Sequence, residues 1–431
     1  MTVTSPTEQL PSSWCFDMGK FYLIGEYLSH SHSPAVHAMF GNPDYTLKEL
    51  APDEVEHFIK HGDYDGLNVT IPYKKTVIPY LDELTDTAQK LGAVNTIVRR
   101  SDGTLLCDNT DYFGFAYALE SAGIALGGKH VLILGSGGAS KTAAAYACDA
   151  GAASVTIVSR TGEINYQNVY ERCADTEIVI NCTPVGMYPQ SGAAPVWLIR
   201  FPHLCGVVDM IYNPARTLLL AAAKDLRIPA VNGASMLVAQ AARGHEHFTG
   251  QSVSKQKIEQ IVRALSQKNE NVVLIGMPGC GKTTIGKALA RLTGKKFVDI
   301  DAKIERSAGK AIPEIFAAEG EDAFRRLEHE IICRVGAEHG QIIATGGGAV
   351  TRQENQYPLE QNGRIVWLQR SLEMLPTEGR PLSHKDTLAE MYRTREPLYR
   401  VFSDMQISND GTPEEVAARI AKELQYEIFS H

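Results

Sequence analysis

Two glycine-rich stretches govern what this chain can fold into. VLILGSGGASKT begins at Val131 and LIGMPGCGKTTIG at Leu274, and each joins an apolar run to a helix-forming run. A buried strand, a tight glycine turn and a helix with outward-facing N-terminal amides together make a phosphate site, and such units are built into α/β domains with parallel sheets. The two loops differ, however. GMPGCGKT, from Gly276 to Thr283, satisfies GxxxxGK[ST] at every position, whereas GSGGASKT has Ser140 where the second glycine belongs.

At 431 residues the chain exceeds the roughly 100–200 residues of one ordinary domain, so at least two are expected. Strand-like runs (FYLIG, GLNVTI, HVLILG, SVTIVS, EIVINCT, GVVDMIY, NVVLIG, KFVDID, QIIATGGG, RIVWLQ) alternate with helical stretches throughout. The clearest boundary lies near residues 266 to 271. There SKQKIEQIVRALSQ reads as an amphipathic helix, QKNEN as a polar connector and NVVLIG as a new first strand.

A net charge of −8 offers no broad basic face for nucleic acid, and no apolar run is long enough to span a bilayer. The N-terminal MTVTSPTEQLPSSW has neither a basic start nor an apolar core, so a cytoplasmic protein with small-molecule partners is expected. Homo-oligomerisation stays open. The eight cysteines are scattered without a CxxC and read as free, buried thiols. HSH at 30 to 32 and HEH at 245 to 247 lack zinc spacing and read as solvated or substrate-side residues.

In the first loop Gly135, Ser136, Gly137, Gly138 and Ala139 form the turn of a dinucleotide fold, with Ser140 as the small residue where close packing is wanted. The next strand, SVTIVSRT, ends in Ser159, Arg160 and Thr161 where an NAD enzyme places a carboxylate on the ribose. A guanidinium there pairs with a 2′-phosphate, so NADP is preferred. In the second loop the amides from Gly276 through Gly279 and Cys280 to Gly281 would cradle phosphates. Lys282 would reach the transferred group, the Thr283 hydroxyl would ligand Mg2+, and Thr284 follows in the same turn.

Polar patches precede the first loop: SHSHSP at 29 to 34, NVTIPYKK at 68 to 75, GAVNT at 92 to 96 and DNTD at 108 to 111. Asn68 and Thr70 share one strand face, and Pro72 suits the first turn of a helix, which would put Lys74 near a helix N-terminus, a place useful for exchanging protons. With GSGGA, SRT, NCTPVGM, DMIYNP and NGASMLVAQA, these motifs resemble the shikimate dehydrogenase family over roughly residues 20 to 266. The resemblance implies NADPH-dependent reduction of 3-dehydroshikimate with Lys74 and Asp111 as the catalytic pair. Ser31, Ser33 and Tyr212 would hold the substrate carboxylate; Asn68, Thr70, Asn95, Asp111 and Gln240 its hydroxyls; and Met236 would lie near the nicotinamide. Quinate as a substrate, or one half that only binds, are the alternatives. The chain departs from the family pattern in GEINYQNVYERCAD, where members spend a further helix and strand.

From about residue 271 to 425 the chain resembles the shikimate kinase family. In KFVDID, Asp299 and Asp301 lie two apart on a strand, so both carboxylates are expected on one face. FRRLE places Arg325 and Glu328 three apart on a helix, which by itself reads as a surface ion pair. The resemblance implies that Asp301, Arg325, Gly347, Gly348 and Arg395 surround shikimate. It implies also that Asp299 and Thr283 order Mg2+, and that Arg380 in GRPLS belongs to a mobile lid acting on the phosphoryl group with Lys282. The lid between Gln369 and Thr387 is short for the family. The expected architecture is α/β throughout: a substrate domain over 1–110, a Rossmann NADP domain over 111–240, returning helices and linker over 241–267, and a P-loop nucleoside-monophosphate-kinase-like parallel α/β domain over 268–431.

Overall fold

A computed structural model describes residues 19–28, 31–375 and 385–426. Three sheets organise the chain. β1 (Phe21–Gly25), β2 (Thr46–Glu49), β3 (Gly66–Val69), β4 (Glu83–Leu84), β5 (Thr96–Arg99) and β6 (Leu105–Asp108) form the first, in the order β2-β1-β3-β5-β6-β4. It is mixed, because β5 runs antiparallel to both β3 and β6. β7 (His130–Leu134), β8 (Ser154–Val158), β9 (Ile178–Asn181), β10 (Gly206–Asp209) and β11 (Ala230–Val231) form a parallel sheet in the order β11-β10-β9-β7-β8. β12 (Asn271–Ile275), β13 (Lys296–Asp299), β14 (Gln341–Ala344), β15 (Gly363–Gln369) and β16 (Met405–Ser408) form a third, also parallel, in the order β13-β14-β12-β15-β16.

Burial explains why these runs are strands. All four residues of β9 and β10, and all five of β12, are buried, which suits a parallel sheet covered on both faces. In the second sheet a doubly wound fold would continue past β8, in the order 3-2-1-4-5-6. Here the connection from β8 to β9 contains one short helix, Val169–Arg172, and β8 stays at the sheet edge with Ile157 exposed. The short GEINYQNVYERCAD segment therefore removes a whole strand.

Two compact units emerge. One takes in the described part of Met1–Ser121, with Gly138–Gly151 and Ser235–Ile261; the other comprises Ala122–Gly137, Ala152–Ala234 and the described part of Val262–His431. In the first, the helix Asp111–Ser121 packs on the helix Gly138–Asp149, with Tyr112 and Phe115 set edge-on against Tyr146 at 5.3 and 5.5 Å. Gly114 permits close approach to the helix Ala234–Thr249: a Cβ there would lie 2.6 Å from the Met236 carbonyl.

Four expectations need correction. QKNEN is not a connector: the helix Lys255–Asn269 runs almost directly into β12, and Lys295 Nζ caps the carbonyls at this junction, donating to Gln267 O at 2.6 Å and Glu270 O at 2.8 Å. Pro72 does not open a helix; the Ile71–Pro72 bond is cis and the Tyr73 amide turns back to Thr70 O at 2.9 Å, leaving Lys74 in a run of turns. His245 and His247 are not solvated: His245 is buried and stacked on Phe40 at 5.5 Å, and His247 Nε2 lies 2.8 Å from Asp108 Oδ2. Not every thiol is buried, since Cys148 and Cys205 are exposed. Among the described residues no helix is long and apolar enough to cross a membrane, and no cluster of three His, Cys, Asp or Glu side chains could hold a metal ion.

Candidate active sites

In the first unit the polar patches of the sequence converge. Lys74 Nζ donates to Asp111 Oδ2 at 2.5 Å, and Asn95 Nδ2 donates to Asp111 Oδ1 at 3.0 Å, so both carboxylate oxygens are engaged. Asn95 cannot turn its amide the other way, because its Oδ1 accepts the Thr110 amide at 2.8 Å and the Thr110 hydroxyl at 3.2 Å. The lysine and aspartate side chains keep 27% and 21% of their surface exposed, enough for a solute to reach the ammonium. Asn68 is fixed by the buried Tyr45 hydroxyl, which donates to its Oδ1 at 2.7 Å, while its Nδ2 donates to Thr96 Oγ1 at 3.1 Å. Gln240 Oε1 meets Thr110 Oγ1 at 3.4 Å. Thr70 follows β3 half-buried, and Ser31 and Ser33 are half-buried neighbours whose amide-to-hydroxyl bond is 3.2 Å long.

Tyr45 and Thr110 escaped sequence reasoning. Each orients a polar residue from behind. Thr110 lies inside DNTD and could have been read from that motif; Tyr45 could not.

In the turn after β7, Gly135 has φ +101°, and a Cβ there would lie 3.0 Å from Thr183 Cγ2, so the protein itself demands glycine. Gly137 is different: a Cβ on it would meet nothing within 4 Å. The same holds for Gly138 at the start of its helix. Protein packing does not require these glycines, and the open space beside them suits the close approach of a pyrophosphate. Ser136 is exposed beside them, Ala139 half-buried and Ser140 buried. At the end of β8, Ser159 is half-buried while Arg160 and Thr161 are exposed, with no carboxylate in the position that would repel a 2′-phosphate. These residues fit NADP. Tyr212, in the segment after β10, is 37% exposed.

The second phosphate loop is wedged into its own domain. Gly276 has φ +145° and would place a Cβ 2.6 Å from Leu368 O; Gly281 has φ +96° and lies against Asn409, whose Nδ2 donates to Cys280 O at 2.5 Å. Lys282 is buried with Nζ donating to Gly276 O at 2.8 Å and Met277 O at 3.0 Å. Gly279 lies between them with φ +82°, Cys280 is buried, and Thr284 is exposed on the first turn. Thr283 Oγ1 donates to Asp299 Oδ2 at 2.8 Å, a pair of hard oxygen donors at the loop that fits Mg2+ with its remaining ligands from phosphate and water.

Asp299 and Asp301 do not share a strand. β13 ends at Asp299, whose Oδ1 caps the helix Ile300–Ala308 by accepting the Ala302 amide at 3.2 Å, and Asp301 stands in the first helical turn. Capping ends the strand one residue after the valine and turns the second carboxylate inward. Burial, reinforced by the Asp299 carboxylate, pushes the Asp301 pKa up to about 6 against the opposing pull of Lys282.

Arg325 and Glu328 are likewise no surface pair. Arg325 Nη1 donates to Glu328 Oε2 at 2.7 Å, with the glutamate fully buried and the arginine 11% exposed. Glu328 Oε1 has no protein partner and faces the glycine turn beside Asp301: a Cβ on Gly346 would lie 2.9 Å from it and 2.8 Å from Asp301 Oδ1. The turn is the floor of the site. A Cβ on Gly348 would lie 2.3 Å from Arg325 Nη2, and one on Gly347 would lie 2.6 Å from Pro278. Gly347 O accepts from Arg395 Nη1 at 3.1 Å and from Tyr399 Oη at 2.6 Å. Tyr399, four residues beyond Arg395 on the same helix, was legible from that spacing. Gly346, Glu328 and Asn409 emerge from the fold. Arg380 lies outside the described residues.

The two constellations define a class: a dinucleotide-binding oxidoreductase followed by a P-loop phosphotransferase. The shikimate dehydrogenase substrate-binding-domain model matches residues 23–97, and the shikimate kinase model matches residues 278–425. The chain is 34% identical over 270 residues to an NADP-dependent shikimate dehydrogenase of Shouchella clausii, an alignment spanning 57% of this chain and 98% of that protein. Among solved structures, a chorismate mutase/shikimate 5-dehydrogenase fusion protein from Clostridium acetobutylicum is 34% identical over 57% of this chain and 97% of that one, with a TM-score of 0.53. Shikimate 5-dehydrogenase from Listeria monocytogenes, in complex with shikimate and NAD, is 27% identical over 59% and 99%, with a TM-score of 0.52. The chain belongs to the shikimate dehydrogenase family and carries a shikimate kinase domain behind it. It is a bifunctional shikimate-pathway enzyme, an oxidoreductase using NADP joined to a kinase using ATP and Mg2+.

Proposed function

We propose that the first active site reduces 3-dehydroshikimate to shikimate with NADPH and that the second phosphorylates shikimate to shikimate 3-phosphate. The observation that carries this reading is the coexistence, in one chain, of the Lys74–Asp111–Asn95 constellation and the Asp301–Arg325–Gly348 constellation, the product of the one being the substrate of the other. The bound cofactors supply a hydride at the first site and, as Mg-ATP, a transferable phosphoryl group at the second. Lys74 Nζ gives a proton to the carbonyl oxygen as it becomes an alcohol, and Asp111, held by Asn95, keeps the ammonium aimed. Asn68, Thr70, Asn95 and Gln240 receive the substrate's hydroxyls, while Ser31 and Ser33 receive its carboxylate.

In the kinase domain, Asp301 accepts the proton of the attacking hydroxyl. A carboxylate with its pKa pushed up to about 6 is a better base near neutrality than an ordinary one, yet remains ionised there. Arg325 and Arg395 hold the substrate carboxylate, and the unpartnered Glu328 Oε1 supports an acceptor role toward a polyol hydroxyl. Lys282 would neutralise charge on the phosphoryl group, and Thr283 and Asp299 would hold the metal, with Arg380 a further candidate for charge stabilisation by the family resemblance. The test is to give the purified chain 3-dehydroshikimate, NADPH and Mg-ATP and to identify the product by mass spectrometry. Shikimate 3-phosphate is expected; accumulated shikimate would refute the kinase assignment, and unchanged substrate the dehydrogenase assignment.

A further inference from the structure

Within the larger unit, the dinucleotide-binding sheet and the kinase sheet are joined by a polar seam. Most of its kinase side is one short segment, Tyr357 to Asn362, leading from a short helix into β15, with Asp404 beside it accepting from Lys224 Nζ at 2.7 Å. Glu360, Gln361 and Asn362 are three successive polar residues, yet they are only 6%, 4% and 4% exposed. Polar side chains of this kind are seldom buried without partners. Here the partners come from two segments of the dinucleotide half, the ones that follow β9 and β10.

From the first, Ser191 O accepts the Tyr357 hydroxyl at 2.7 Å and Ser191 Oγ donates to Gln361 Oε1 at 2.7 Å. From the second, the Arg216 amide donates to Gln361 O at 2.8 Å, the Ala215 amide to Asn362 Oδ1 at 3.0 Å, and Arg216 Nη1 to Glu360 O at 3.3 Å. The two segments are also tied to each other, because the Tyr188 amide donates to Asn213 O at 3.0 Å. The base of both is the fully buried Asp209, which accepts from Asn181 Nδ2 at 3.0 Å and Thr217 Oγ1 at 2.6 Å. On the kinase side the anchor is equally firm: Asn362 Nδ2 donates to Gly336 O and Ala337 O at 3.3 Å, and Asn362 O accepts the Asn271 amide at 2.8 Å where β12 begins.

In an open α/β sheet, ligands bind outside the carboxyl ends of the strands, the ends from which these two segments leave β9 and β10. We infer that Tyr357–Asn362 is a docking face for the dinucleotide half, and that by holding both segments it makes the kinase domain a positioning element for NADP(H) binding. This rests on the reading of β7–β11 as the NADP-binding sheet. Loops ordered in advance cost less to order when ligand binds, so loosening them raises the dissociation constant and leaves the chemical step alone.

The test uses the full-length protein with Tyr357→Phe, Gln361→Ala and Arg216→Ala combined, none of which touches a proposed catalytic group. NADPH affinity is read by cofactor fluorescence, alongside both sets of steady-state constants. The Kd and KM for NADPH are expected to rise roughly fivefold, with dehydrogenase kcat and kinase kcat/KM within about twofold of the parent. Unchanged NADPH affinity, or a fall in kcat with KM unaltered, overturns the inference. Should the triple variant fail to fold, Tyr357→Phe alone removes one hydroxyl, and a rise of roughly twofold in NADPH Kd is then the expected result and no rise the refuting one. Fluorescence needs no turnover, so a parent chain inert toward 3-dehydroshikimate would sink the substrate assignment while the affinity comparison still decides the docking inference.

Discussion

The two phosphate loops meet the same demand by opposite means. In GMPGCGKT the glycines are required by the protein: Gly276 and Gly281 sit at φ values of +145° and +96°, and the first is pressed against the Leu368 carbonyl. The loop is shaped before ligand arrives. In GSGGAS the protein requires glycine at Gly135, while Gly137 and Gly138 open onto empty space. A glycine can thus be kept for the fold or for the ligand, and a substitution should separate the two.

The largest effects should come from the groups that the loops serve. Lys74→Ala is expected to lower dehydrogenase turnover by about 10²–10⁴ while leaving substrate binding detectable and kinase turnover unchanged. Near-normal turnover would remove Lys74 from the chemistry. Asp301→Asn should lower kinase turnover by about 10²–10⁴ and spare the dehydrogenase.

Asp301 carries a second expectation through pH. Its folded pKa is raised above the unfolded value, to about 6, so its contribution to stability is fully present below the unfolded pKa and is lost as pH rises through the folded one. Above that pH the half-buried carboxylate opposes folding. Kinase kcat/KM should therefore climb as pH passes through about 6, and Asp301→Asn should make the kinase domain more stable at neutral pH by about 2 kcal/mol even as it disables it. A variant that melts earlier at neutral pH would show that Asp301 is better accommodated than its burial implies.

The loop comparison itself is tested by a matched pair. Gly276→Ala should cost about 1–3 kcal/mol in kinase-domain stability, seen as a lower melting transition without any nucleotide present. Gly137→Ala should leave melting unchanged but weaken NADPH binding by roughly tenfold. Equal melting losses would erase the distinction between the loops. The smallest effect is expected at the edge strand: Arg160→Ala should shift the NADPH-over-NADH preference by roughly tenfold or less, because the side chain is exposed and its charge is screened.

Much of each site was legible as motif. Lys74, Asp111 and Asn95 stand in three separate sequence patches and meet in space, and Thr283 of the phosphate loop meets Asp299. What failed was reading geometry from short periods. Asp299 and Asp301 looked like strand neighbours, but a helix cap intervenes at Asp299. Arg325 and Glu328 looked like an exposed pair; burial depends on what covers a helix, and the cover is the glycine turn at 346–348. The polar connector expected at residues 267–271 became a helix end capped by Lys295, a residue more than twenty positions away.

By itself the sequence determined the two glycine-rich loops, the strand–turn–helix order around them and the candidate reactive side chains, because these depend on local backbone freedom and on residue chemistry. Only the tertiary structure decided which carboxylate is buried, which glycine belongs to the fold, and that Glu360, Gln361 and Asn362 lie hidden against a partner segment. Burial and hydrogen-bond partnership are set by residues far apart in the chain, and no local pattern encodes them.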